Sequence, residues 1–443
     1  MKNKDILVYI GIIMFLSLVL CLLWVLIIIN TNNDNNCKVM DINNSRSVSY
    51  KSVKKIAKDE DIKGDSLKST NVDENAILVL NKVKSNILDI SVEKKGGSSA
   101  GDDTSFYGIN SAILVKDGAV ASIRNATINT DAVGANGVFS YGGSATTKSS
   151  SGDGSTINIS DSRITTNKDN SGGIMTTGGG VMNATNLNIT TFGTSSAAIR
   201  SDRGGGKVTI NKGTYVTKGK GSPAVYSTAD ITVTDSTLVS EASEGLIIEG
   251  KNKISIDNVN LTDTNNVLHG QSTTYKNIFI YQSMSGDADT GIAEFFAKKS
   301  TIITNKGDSI YVTNTKAKIT LENNRFINND LDGNFIRIQN DSWGSSGSNG
   351  GDVNLNLINQ SIIGNIVVDS ISKLSIDLKA SSYYEGILNN SDSARNLILS
   401  LDKSSKIKLN GDSYVSQLND ADKNYSNINF NGYKLYVNGK SIK

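Results

Sequence analysis

Side chains able to do chemistry are sparse in this chain. His269 is the only histidine, and the two cysteines are Cys21 and Cys37. Histidine triads, histidine-based zinc sites and a disulfide scaffold therefore have little to build on. Three clusters remain. Asp287-Ala-Asp289-Thr-Gly291 sets oxygens at alternate positions ahead of a glycine, the opening of a calcium loop. Lys298 stands where a bidentate glutamate would close that loop, which excludes an EF-hand and leaves Asp287 and Asp289 as candidate ligands of a looser Ca²⁺ site. No other cofactor is expected. Arg200 and Arg203 flank Asp202 in IRSDRGGG, which reads as a charged turn at a corner. Of the two tryptophans, Trp24 sits in a long apolar run and Trp343 in a polar stretch beside Asp341. With Tyr275 and Tyr281, Trp343 makes an aromatic set of the kind that stacks on sugars. Tyr275, Tyr281, Trp343 and Asp341 are the expected ligand-binding residues.

The elements that must position these residues begin with an anchor. Ile6 to Ile29 runs for 24 residues without a charge. At about 1.5 Å per residue this is long enough for a hydrocarbon core of about 30 Å. No small-residue cleavage site follows Ile29, so the run reads as a retained transmembrane helix and not a signal peptide. Lys2 and Lys4 precede it and the first charge after it is Asp34, which places residues 1–5 in the cytoplasm and the bulk outside the cell. Residues 30–73, rich in Asn, Lys, Ser and Asp, read as a polar stalk with a short helix near Val53–Ala57. Charge is balanced, 45 basic against 43 acidic residues, which argues against a nucleic-acid partner.

From residue 77 onward a repeat dominates. Its unit is apolar, any, apolar, four turn-like residues, apolar. The first copies are Ala121, Ile123, Ile128 and Ile157, Ile159, Ile164; the last is Ile376, Leu378, Tyr383. Spacing of two puts the first pair on one face of a strand. Four residues after the first apolar position stand Asn125, Asp161, Asn186, Lys212, Asp235, Asn258, Lys299, Asn323, Asn359 and Ala380. Most are Asn or Asp, which tolerate left-handed backbone at a bend. A third apolar pair follows in each copy, as at Ile174–Met175, Leu246–Ile247, Val267–Leu268 and Ile310–Val312. Three short strands per coil predict an all-β fold, a single-stranded parallel β-helix over 74–396, with the last coils and a cap over 397–443. Ile428 to Val437 reads as a capping hairpin turning at Asn431-Gly432. Thr and Ser at 130, 166, 191, 217, 240 and 304 recur two places after the third apolar position. They read as bend-satisfying, packed residues, because long insertions break the regularity that a flat ice-binding array needs.

Those insertions are Gly142–Gly154, Gly270–Gly291 and Asn340–Asp352. They are expected to leave the same turn and project from one edge, where repeat proteins bind partners.

Segments such as TINISDSRITT, GGIMTTGGG and KVTINKGTYVTKGKG resemble bacterial surface β-helix proteins, including adhesin passengers of the pertactin type and pectate-lyase-like enzymes. The resemblance covers roughly residues 77–443, implies right-handed winding, and is specific to a fold and not a chemistry. The galacturonan hydrolases of that group carry N-T-D, D-D, H-G and R-I-K in order on neighbouring coils. Here Asp102-Asp103 precedes Asn129-Thr130-Asp131, His269-Gly270 lies 138 residues beyond Asp131, and the last motif reads Arg337-Ile338-Gln339. Paired carboxylates must act within about 10 Å, so these motifs do not form that active site. The expected function is adhesion or binding of a cell-surface or extracellular polysaccharide, or of a neighbouring or host cell, by a membrane-anchored, non-catalytic protein. The alternatives are a polysaccharide lyase or glycoside hydrolase with another active site, and a structural envelope protein.

Overall fold

Alternation of a buried and an outward side chain runs along most of the strands, and it sets the architecture. In the computed structural model, which describes residues 48–144 and 150–442, the strands fall into sheets of 12, 21, 4 and 3 members. Every pairing between them is parallel except one. Each strand bonds its counterpart one repeat earlier and one repeat later, so that Ile157 lies between Ala121 and Met182, and Ile210 between Ala184 and Val233. The fold is all-β with long parallel sheets, compatible with a parallel β-helix. One helix, Asp103–Phe106, interrupts the strands among the described residues. The expected anchor at 6–29 lies outside the described residues; among those described, no helix is long and apolar enough to cross a membrane.

The interior consists of stacked like residues, because parallel register puts the same repeat position above itself on every rung. Ile123, Ile159, Ala184, Ile210, Val233 and Ile256 form one such column, each at most 2% exposed. All ten bend positions named above adopt left-handed backbone, with φ between +47° and +64°. Asn and Asp dominate there because their side chains bond locally, and some also bond the bend of the next rung: the Asn186 amide donates to Asp161 at 2.8 Å and that of Asn258 to Asp235 at 2.6 Å.

Four sequence expectations are corrected. The repeat begins inside the expected stalk: Lys51–Ile56, Ile62–Lys63 and Ser66–Ser69 pair in parallel with the next rung, so Val53–Ala57 is strand and not helix. Most of their exposed residues are lysines, and Ile56, Ile62 and Leu67 are the apolar residues that mark the buried side. In the last copy the buried residue is Tyr384 and not Tyr383. Two successive left-handed residues, Ala380 and Ser381, absorb an extra position, and a shift of one exchanges the faces of a strand. The antiparallel hairpin turns at Asn438-Gly439, where Val437 pairs with Lys440. Asn431-Gly432 is instead a corner between Ile428–Asn429 and Leu435–Val437, which each pair with the preceding rung. Finally, Val267–Leu268 is loop; Leu246 pairs with Ile278, so the strand Lys276–Tyr281 takes the third position on that rung.

The Thr and Ser line runs inside the molecule. Thr130, Thr166, Thr191, Thr217, Ser240, Asp263 and Thr304 stack in register and are fully buried. Asp263 is the acid in that column. Burial pushes its carboxyl up to about 8, and one of its oxygens has no hydrogen-bond partner among the described residues.

Candidate functional site

The twelve-stranded sheet carries an outward line of residues, one per rung, at the position between the two buried ones. From the N-terminal side it reads Leu78, Leu114, Phe139, Met175, then Arg200, Tyr226, Ile247, Phe279, Tyr311 and Arg337. The first four are apolar and buried together. The segment around Asp103–Phe106 packs onto them, since any Cβ on Gly108 would lie within 3 Å of Leu114 and Phe139. From Arg200 onward the line changes chemistry, and from Arg200 to Phe279 it borders a cavity.

A cavity of about 390 Å³ lies over Arg200, Tyr226, Ile247 and Phe279, with His269, Glu244, Tyr281 and Trp343 also lining it. Two loops build its walls. The residues beyond Asp263 carry His269, and residues beyond Ile338 carry Trp343. The loops are tied together: the Thr273 hydroxyl donates to Asp341 at 3.0 Å, and so does the Tyr311 hydroxyl at 2.8 Å. The buried Asn349 amide donates to the carbonyls of Asp341 and Trp343, at 2.7 and 2.8 Å, and shapes the second loop. Trp343 rests 5.0 Å from the Phe279 ring and 5.3 Å, edge-on, from Tyr281.

Beneath these rings lies Lys276, fully buried. Its ammonium sits 4.4 Å from the Phe279 centroid, 5.0 Å from Tyr311, 5.6 Å from Trp343 and 3.7 Å from Glu244. Burial holds this lysine below its ordinary range, and the facing Glu244 carboxylate opposes that shift. The cation offsets the charge of Glu244 and attracts the faces of the surrounding rings.

Glu249, on the same strand as Ile247, is the most enclosed acid of the site. Its carboxylate accepts hydrogen bonds from the hydroxyls of Tyr226, Ser283 and, at 3.2 Å, Tyr281. Burial raises the carboxyl, the Ser283 and Tyr226 donors oppose the rise, and the charges of Asp287 and Asp202 add to it. A raised carboxyl suits a general acid, but Glu249 is 0% exposed and sealed by its three donors. In this arrangement it orients Tyr226 and Tyr281 instead of reaching a ligand.

A second cavity of about 380 Å³ shares Arg200 with the first and is also lined by Asp102, Phe106, Asp202, Arg203 and Asp287. Arg200 pairs with Asp202 at 2.8 Å and Arg203 with Asp287 at 2.7 Å. Burial raises the Asp202 carboxyl against the pull of Arg200.

The expected site residues therefore part ways. Tyr281 and Trp343 converge on the first cavity. Asp341 is spent on joining loops. Tyr275 stands apart, with its hydroxyl on the Asn266 carbonyl at 3.1 Å and Lys306 over its ring at 3.9 Å. Asp287 and Asp289 face different cations, Arg203 and Lys251, the latter at 2.8 Å. Among the described residues no group of three or more His, Cys, Asp or Glu is placed to hold a metal ion. The insertions also differ from expectation. The second is split around the strand Lys276–Tyr281, half before it and half after. The motif residues of the galacturonan hydrolases scatter: His269 lines the first cavity, Asp102 the second, Asp131 faces Lys168 at 3.5 Å, and Arg337 pairs with Asp308 at 2.6 Å.

Arg200, Tyr226 and Phe279, which line the cavity, and Lys276 beneath it were not among the site residues expected from the sequence. One signal would have found the first three: they occupy the middle position of the third strand, between its two buried residues. Comparison with protein-family models, curated proteins and solved structures finds no match to this chain.

Proposed function

We propose that this protein is a membrane-anchored, right-handed parallel β-helix, three strands per coil, that binds a polysaccharide in the groove over Arg200, Tyr226, Ile247 and Phe279. The observation that carries this reading is the convergence of Tyr281 and Trp343, from separate insertions, beside that groove. Aromatic rings flanked by a few fixed polar groups are what an amphipathic sugar requires. Binding is favoured over cleavage because the raised carboxyl held by Tyr226 and Tyr281, that of Glu249, is sealed from the cavity. The apolar run 6–29 supplies the anchor and sets the groove outside the cell, where adhesion to a glycan-bearing surface is the natural use.

The test is Trp343→Ala. Loss of a stacking ring costs about 1–3 kcal/mol, so binding of a retained glycan should weaken at least several-fold with far-ultraviolet circular dichroism unchanged. Normal glycan binding by that variant would remove the groove from the proposal. For the anchor, the full chain should require detergent for extraction, and deletion of 6–29 should release it.

A further inference from the structure

The glycan-binding reading above leaves the class of glycan open, and the following inference rests on that reading. We infer that the groove takes a neutral, linear glycan several sugars long, and that it discriminates against uronates and other polyanions.

The first ground is charge. The arginines lining the two cavities are already committed, Arg200 to Asp202 and Arg203 to Asp287, and the Arg203 guanidinium also lies 4.0 Å over the Phe106 ring. Four carboxylates line the same cavities, adding Asp102 and Glu244 to those two, and only Glu244 has a further cation beneath it, Lys276. An incoming carboxylate would have to share an arginine whose charge its own partner already neutralises, or stand beside these acids unpaired. Either is unfavourable where water is partly excluded.

The second ground is the chemistry of the pairs themselves. A sugar hydroxyl both donates and accepts. A guanidinium beside a carboxylate offers the complementary donor and acceptor at one place, and Gln271 and Ser272 add neutral groups at the wall of the first cavity. Hydroxyls are satisfied there without any change in net charge.

The third ground is length. From Arg200 to Phe279 the floor crosses four neighbouring strands, and three spacings of about 4.8 Å give roughly 14 Å. The second cavity continues beyond Arg200. That path exceeds one monosaccharide, and its aromatic end at Trp343 and polar end near Asp102 suit a chain lying along the line of rungs.

Calorimetric titration of the full chain in a sugar-free detergent tests this. The probes are cellopentaose, mannopentaose, the N-acetylglucosamine pentamer and pentagalacturonate, each with its disaccharide, at 50 and 500 mM NaCl. The expected result is binding of at least one neutral pentasaccharide, at least tenfold tighter than its disaccharide and at least tenfold tighter than pentagalacturonate. That affinity should change less than twofold with salt. If pentagalacturonate binds tightest, weakens with salt and loses affinity in Trp343→Ala, the glycan-binding reading stands and this inference falls. A neutral disaccharide binding as well as its pentamer overturns the extended path. If none of the probes binds, both readings fail.

Discussion

The twelve-stranded sheet uses one scaffold in two ways. On its N-terminal rungs the outward line is Leu78, Leu114, Phe139 and Met175, and it is closed under Tyr50, Tyr141 and the segment around Asp103–Phe106. On the later rungs the same line is Arg200, Tyr226, Ile247 and Phe279, and it floors a cavity. Backbone register, inward stacking and left-handed bends are alike in both halves. The difference teaches that the interior specifies the stack, while the single outward residue on each rung specifies whether that rung is covered or available.

The sharpest way to break this comparison is to put the same charge in both halves. Leu114→Asp would bury a carboxylate under the cover and should cost on the order of 4 kcal/mol. Ile247→Asp, on the same line but beside the cavity, should cost less than about 1 kcal/mol. Urea unfolding midpoints of the two variants measure the contrast; similar losses would mean that the open half is not open.

A smaller effect, with a pH signature, is expected from Asp263, at the start of the loop that carries His269. Its carboxyl titrates near 8 in the folded chain, against about 3.8 when unfolded. Between those values the unfolded chain has released its proton and the folded one has not, so the contribution of this group to stability falls as pH rises, by about 1.4 kcal/mol per unit. Asp263→Asn keeps the acceptor for the Asn265 amide and removes the titration. The variant should be more stable than wild type by on the order of 3 kcal/mol at pH 6, and the gap should close near pH 4. A gap that does not vary with pH would contradict this account.

The smallest effect concerns the half that floors the cavity. Tyr281→Ala should weaken the binding of a retained glycan several-fold, whereas Tyr275→Ala should change it less than twofold, because Tyr275 faces Lys306. Side-by-side titration of the two variants reads the difference, and equal losses would return Tyr275 to the site.

The sequence by itself determined the stack. Spacing of two dictates which side chains can share an interior, and Asn or Asp at the bend supplies left-handed backbone at low cost, so nine of the ten repeat copies and all ten bends could be located from local chemistry alone. Its failures have equally local causes. The first rung hides behind lysines at Lys51, Lys54 and Lys55, and the extra residue at Ala380–Ser381 conceals a change of face. Tertiary structure decided the site. Periodicity says nothing about the path of an insertion, and only folding shows that the loop after Asp263 precedes its strand, that Asp341 is consumed in tying it to the loop of Trp343, and that Tyr281 turns inward to the groove while Tyr275 turns away. Nor could a linear reading show that Arg200 and Phe279 stand on one line. They are 79 residues apart in the chain and three strand spacings apart in space, because parallel stacking converts repeat position into distance.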